Sequence, residues 1–290
     1  MRKMTDIGER LLDFQRGEIT EHRIYLSLAE RLKSEENRRV LRRIADEELR
    51  HYGVWKRHTG RDVAPDRWKI RWYGFLARVA GFTFAVKLME RGEEGAEENY
   101  ERLRDEVPEA EKIAEDENRH ERELLALLDE ERLRYTGSVV LGLNDALVEL
   151  TGALAGFTLA LRDTRLIALT GLITGVAAAL SMASSEYLSR KAEGSEVSPG
   201  KAALYTGAAY IVTVGLLILP YLVLADYFAC LGLTLGAAVF IIFCFNYYLS
   251  VARDLPFLRR FLEMAGISLG VAAASFGVGY LVRALLGVDA

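Results

Sequence analysis

The polar and apolar positions of this chain alternate at helical spacing for about the first 130 residues, and then the polar positions nearly vanish. In residues 5–33, Ile7, Leu11, Phe14, Ile19, Ile24 and Leu28 recur every three or four positions, which predicts a first amphipathic helix. Ser34 is placed to cap a second helix over 35–58, and Gly60 follows its end. The stretch Asp62 to Asp66, with Pro65, reads as a turn, and a third helix is expected from Arg67 to Arg104. Pro108 suits the first turn of a fourth helix over 109–132. From Ser138 onward come five apolar runs, 138–161, 166–189, 202–224, 227–252 and 262–285. Each is long enough for a bilayer, which needs about 20 residues per helix. The pattern therefore predicts an all-α chain with a four-helix bundle over 1–134 and a five-helix transmembrane domain over 135–290.

Charge sharpens the boundary. Residues 1–135 hold 28 of the 37 Lys and Arg and 31 of the 41 Asp and Glu, so this part nets 28 − 31 = −3 and the remainder 9 − 10 = −1. Neither part has the basic excess of a nucleic-acid binder. The N-terminus leads into charged sequence with no apolar signal segment, so the bundle is expected in the cytoplasm. Counted from there, cations near the span ends favour the inside. Arg132 and Arg134, then Arg190, Lys191 and Lys201, then Arg253, Arg259 and Arg260 outnumber Arg162, Arg165 and Arg283 opposite. Five spans then put the C-terminus outside. Cys230 and Cys244 lie in apolar sequence and form no C-x-x-C, which excludes a zinc ribbon or a rubredoxin-type iron site.

Two Glu-x-x-His pairs, Glu48/His51 and Glu117/His120, carry the chemistry of the bundle. On a helix the i and i+3 positions share a face, so each pair directs a carboxylate and an imidazole to one point. A repeat supports this order. Arg16-Gly17-Glu18 precedes Tyr25 with the spacing at which Arg91-Gly92-Glu93 precedes Tyr100, and each copy is followed by one of the pairs. Glu18 and Glu93 are thus the lone carboxylates of a two-metal site, with Glu97 one turn further on as an added ligand. Glu90 and Glu94 compete with Glu93 and Glu97 for that role. Tyr25 and Tyr100 are candidate hydrogen-bond donors to the carboxylates, whereas His22 and His58 fit no ligand pattern and read as surface residues. Oxygen and nitrogen ligands suit iron, with manganese or zinc as alternatives. The segment Trp68-Lys-Ile-Arg-Trp-Tyr-Gly-Phe75 mixes aromatics with cations, and reads either as a membrane–water interface or as bundle packing.

Carboxylates inside a bilayer mark ion pathways. The first span carries Asn144, Asp145 and Glu149, the second Met182 and Glu186. A thioether beside carboxylates suits a borderline ion such as Fe(II), and a carboxylate that takes up a proton as metal leaves couples the two ions.

Residues 5–132, with the Glu18–Tyr25 spacing and both Glu-x-x-His pairs, resemble the rubrerythrin-like branch of the ferritin-like family, which implies a di-iron site. Gly142-Leu-Asn-Asp145-Ala-Leu and Ser181-Met182-Ala-Ser-Ser-Glu186 resemble the first two spans of the vacuolar iron transporter family. That resemblance implies a proton-coupled Fe(II) or Mn(II) carrier working as a homodimer, with Asp145 and Met182 on the path. The linker Arg190 to Lys201 is too short for the Glu-rich insert of that family's plant members. The combination resembles the membrane-bound ferritin group of prokaryotes. The expected function is export of ferrous iron or manganese in exchange for protons, with ferroxidase activity of the bundle left open. The alternative is a membrane-anchored di-iron oxidase or peroxidase.

Overall fold

The computed structural model describes residues 2–32, 34–93, 107–126, 135–194 and 197–286; the side chains of 2–7, 90, 92, 93, 121, 125, 126 and 286 fall outside that description. Every element among the described residues is a helix, and the chain divides into two compact units, Met1–Glu130 and Glu131–Ala290.

In the first unit, α1 (Arg2–Ala29) and α2 (Glu35–Thr59) pair as a hairpin. Ser34 accepts from the Asn37 N–H at the start of α2, and Gly60 ends it at φ 64, so both signals read in the sequence act. Leu28, Leu41, Ile44 and Ala45 form a core between α1 and α2, closed by Phe82, Val86 and Leu124. The long helix expected from Arg67 to Arg104 is a misreading. Chain 67–93 forms two helices, α3 (Arg67–Val79) and α4 (Phe82–Glu93), broken where Gly81 adopts φ 102. Asp66 caps α3 by accepting from the N–H groups of Trp68 and Lys69. Residues 94–104 lie outside the described residues. α5 (Glu109–Ala126) packs on α2 and brings the second Glu-x-x-His pair to the first.

The second unit holds five helices long and apolar enough to cross a membrane: α6 (Thr136–Leu161), α7 (Thr164–Glu193), α8 (Pro199–Val223), α9 (Tyr227–Arg253) and α10 (Phe257–Leu286). Large apolar side chains such as Leu169, Ile173 and Leu180 of α7 are exposed, as a lipid-facing surface requires. Lipid is as apolar as leucine, so helices associate here through close backbone approach. A Cβ on Gly142 of α6 would stand 2.2 Å from the Thr206 carbonyl oxygen of α8, and one on Gly279 of α10 would stand 2.5 Å from the Gly156 oxygen of α6. Ser138, Glu186 and Thr206 meet at one end of the unit, whereas Arg283 reaches the Leu159 carbonyl at the other. The start of α6, the end of α7 and the start of α8 therefore share an end, which alternates their directions.

Candidate metal centre and membrane carboxylates

α1, α2 and α5 bring Glu18, Glu48, His51 and Glu117 together so that one ligand atom from each lies within 4.8 Å of the others. His120 joins them, with Nδ1 3.0 Å from a Glu48 oxygen and its ring 5.8 Å from that of His51. All but the partly exposed Glu117 are buried. α4 ends at Glu93, whose side chain, like Glu97, Glu94 and Tyr100, lies outside the described residues. Tyr25 is buried in the adjoining core. His22, read from the sequence as a surface residue, is instead buried, with Nδ1 2.7 Å from the Ala45 carbonyl oxygen. It tethers α1 to α2, and nothing in its local sequence marks that cross-helix partner. His58 is exposed, as expected, beside Glu109.

Each imidazole uses its two nitrogens differently. The Nδ1 atoms of His51 and His120 face the cluster carboxylates, while Nε2 of His51 lies 3.3 Å from Asp116 and Nε2 of His120 lies 2.5 Å from Glu47. A carboxylate on the far nitrogen fixes the tautomer and the ring. The arrangement is crossed, because Glu47 precedes Glu48 but holds the histidine of the other pair, and Asp116 does the converse. Sequence reasoning missed both residues, although an acid stands directly before the Glu of each Glu-x-x-His, in Ala45-Asp-Glu-Glu-Leu-Arg-His51 and Ala114-Glu-Asp-Glu-Asn-Arg-His120. It also missed Trp55, whose Nε1 donates to Glu18 Oε1 at 2.8 Å.

The electrostatics follow from this crowding. Burial pushes Glu18 and Glu48 above the usual carboxylate range. Burial would also raise Glu117, but hydrogen bonds from His120 and His51 outweigh it and hold its carboxyl at about 2. Glu47 reaches about 2 as well, where hydrogen bonds from His120 and Arg119 overcome desolvation. Desolvation would lower His120, yet the carboxylates of Glu117 and Glu48 raise it to about 10; His51 is raised further by Glu117, Glu18 and Glu48, against the same desolvation. Four buried atoms, Glu18 Oε2, Glu48 Oε1, Glu117 Oε1 and His120 Nδ1, meet one another and His51 Nδ1, as ion-pair contacts of 3.0–3.6 Å without a well-directed hydrogen bond among the described residues. Buried polar atoms are normally satisfied. Three carboxylate oxygens and an imidazole nitrogen converging in this way are a donor set for divalent hard or borderline cations, so the residues fit a metal centre.

In the second unit, Asp145 directly precedes a π-helical turn, Ala146–Leu150, within α6, and Glu149 lies inside that turn. The Ala146 N–H is shared between the Gly142 and Leu143 carbonyls, and Ser268 of α10 donates to the Leu147 carbonyl at 2.5 Å. Tyr210 of α8 donates to Glu149 at 3.3 Å, and the side chains of Asp145 and Glu149 interact. Asn144 Oδ1 is buried without a hydrogen-bond partner among the described residues. Met182 packs against the apolar cluster that includes Ala146. Glu186 is buried and accepts from Ser138 at 2.6 Å and from Arg190 at 2.9 Å, so its charge is already matched. Tyr210 and the π-turn were not legible in the sequence, since apolar runs contain many tyrosines and a π-turn has no composition of its own.

The Rubrerythrin family model matches residues 11–128, a segment that contains all five converging ligands. The VIT family model matches residues 136–196, which include Asp145, Met182 and Glu186. A ferritin-like domain is fused to a VIT-type membrane domain. No curated protein and no solved structure matches the chain. With five apolar helices, the chain is a multi-pass membrane protein that joins a di-metal type of bundle to a metal-transporter type of domain.

Proposed function

We propose that the protein exports ferrous iron in exchange for protons, and that the bundle captures the metal on the cytoplasmic side. The observation that carries this reading is the convergence of buried carboxylates and imidazoles, one ligand atom each from Glu18, Glu48, His51 and Glu117 within 4.8 Å of one another, in a chain with five helices long and apolar enough to cross a membrane. Glu18, Glu48, His51, Glu117 and His120 would hold the metals, with Glu93 or Glu97 completing the set. Bound iron would supply one-electron chemistry toward oxygen. The chain's own part is to present the oxygens, through Trp55 on Glu18, and to lock both imidazoles, through Glu47 and Asp116.

In the membrane domain, iron is the substrate. Asp145 and Glu149 give a paired carboxylate site in which departure of the cation is matched by uptake of a proton, and the Tyr210 hydroxyl orients Glu149. The Met182 thioether favours a borderline cation over Na⁺ or Mg²⁺. Glu186 joins the path by exchanging Arg190 for the metal. The cations Arg190, Lys191 and Lys201 at the joint of α7 and α8 support a cytoplasmic placement of that end, and so of the N-terminus, with the C-terminus outside. Five short-looped spans leave little room for a pathway in one subunit, which supports a homodimer.

The test is Fe(II) flux into proteoliposomes. Asp145→Ala is expected to abolish flux while the bundle still binds metal, measured by the rise in its melting temperature. Retained flux removes Asp145 from the mechanism. Oxygen consumption over many turnovers without any flux would favour the membrane-anchored oxidase.

A further inference from the structure

α3 carries an apolar stripe that stands exposed. Trp68, Trp72, Phe75 and Val79 recur at helical spacing and are 68%, 41%, 52% and 60% exposed. Among the described residues, the only other large hydrophobic exposed in this unit is Leu49. The rings form a ladder, with Trp68 on Trp72 at 5.6 Å and Trp72 on Phe75 at 6.0 Å. The opposite face is committed. Ile70, Tyr73 and Ala77 pack on the bundle core, and Arg31, in the turn after α1, donates to the Gly74 carbonyl at 2.5 Å. The stripe cannot turn inward without breaking those contacts.

Its flanks are cationic. Arg67, Lys69, Arg71 and Arg78 are all exposed, and residues 67–79 contain no Asp or Glu, within a domain whose net charge is negative. On a helical wheel Arg71 and Arg78 border the stripe on one side and Lys69 on the other. Tryptophan edged by Lys and Arg is the chemistry of the bilayer interface, where the rings sit among headgroups and the cations meet lipid phosphates. A second copy is the weaker occupant, because a symmetric contact would set four cations against four. Lipid is also always at hand, since the same chain crosses the bilayer.

We propose that the Trp68–Trp72–Phe75–Val79 stripe is seated in the headgroup layer of the membrane, with its flanking cations on anionic lipid, so that α3 holds the bundle against the bilayer. The proposal rests on the membrane reading of the C-terminal unit and not on transport. The chain's three tryptophans, Trp55, Trp68 and Trp72, all lie in the first unit, and Trp55 is fully buried. Quenching of tryptophan emission by lipid therefore reports on this face.

The experiment places the full chain in liposomes of phosphatidylcholine and phosphatidylglycerol, with or without bromine on the acyl chains. Seated α3 loses the larger share of its emission to brominated lipid. Trp68→Phe/Trp72→Phe, which keeps an apolar stripe, leaves only the unquenched Trp55. Lys69→Glu/Arg71→Glu/Arg78→Glu, confined to exposed positions, weakens the quenching, as does high salt. Emission indifferent to brominated lipid overturns the proposal. If emission is instead shielded from acrylamide in step with protein density, a second copy covers the stripe and the lipid assignment fails. Quenching that survives the triple charge reversal overturns the role given to the cations.

Discussion

At the residue scale, the bundle holds three carboxylates and two imidazoles in a space that one or two divalent cations would fill. Without metal, protons do that work, and this sets a pH dependence. His120 is raised to about 10 and His51 further still, so their contribution is complete below an unfolded value of about 6.5; that of His120 is lost as pH rises through about 10, and that of His51 only beyond it. Glu18 and Glu48, raised by burial, also favour the folded state less once pH exceeds the ordinary carboxylate range. Glu117 and Glu47, at about 2, contribute above about 4.3 and lose that contribution as pH falls through about 2. The metal-free bundle is therefore expected to lose stability from neutral pH toward 10. Metal binding, which must expel these protons, tightens over the same range. Melting followed by tryptophan emission, with chelator or with Mn(II), should show a gap that widens with pH; a gap that narrows contradicts the ligand assignment. Glu48→Gln tests the same cluster. Metal at about 100 times its dissociation constant stabilises a folded site by about 2.7 kcal/mol, and this variant should forfeit most of that gain while its metal-free form melts no lower. The Glu-x-x-His pairs were legible because i and i+3 lie on one helix face. Their crossed partners Glu47 and Asp116 were not, because which acid reaches which imidazole depends on how α2 and α5 meet.

At the scale of elements, the sequence gives good account of helices whose ends carry their own signals. Ser34 and Gly60 bound α2, and the five apolar runs are all helices, each extended beyond its apolar core by polar or capping residues. The failure at 67–104 has a clear cause. Gly81 sits in sequence that stays helix-compatible on both sides, and only its φ of 102 turns α4 away from α3. Close helix crossings are equally hidden, since glycines are frequent throughout the spans and few of them touch backbone. Gly142 does, and Gly142→Ala should force α6 and α8 apart at Thr206, at a cost of about 1–3 kcal/mol. Gly215→Ala on α8, where nothing lies within 4 Å, is the matched control and should be near neutral. Thermal stability of the two variants in detergent checks this, and equal stability would mean that the crossing yields more easily than packed backbone allows.

At the scale of the whole molecule, a buried carboxylate–imidazole cluster and a set of carboxylates in apolar helices belong to one polypeptide. In the proposed reading the bundle concentrates cation, and Asp145, just before the π-turn, and Glu149, within it, give the membrane domain a pair of carboxyl groups with no salt-bridge partner among the described residues. Glu186 shows the contrast, since Arg190 already matches its charge. The proposed coupling of metal to protons rests on that difference. The most direct measurement is Fe(II) entry into proteoliposomes whose bundle side faces outward, with a metal dye and a pH dye inside. The expected result is metal entry together with a rise in internal pH, both absent in Asp145→Ala. Metal entry with no pH change, once charge is balanced by an ionophore, would contradict exchange for protons.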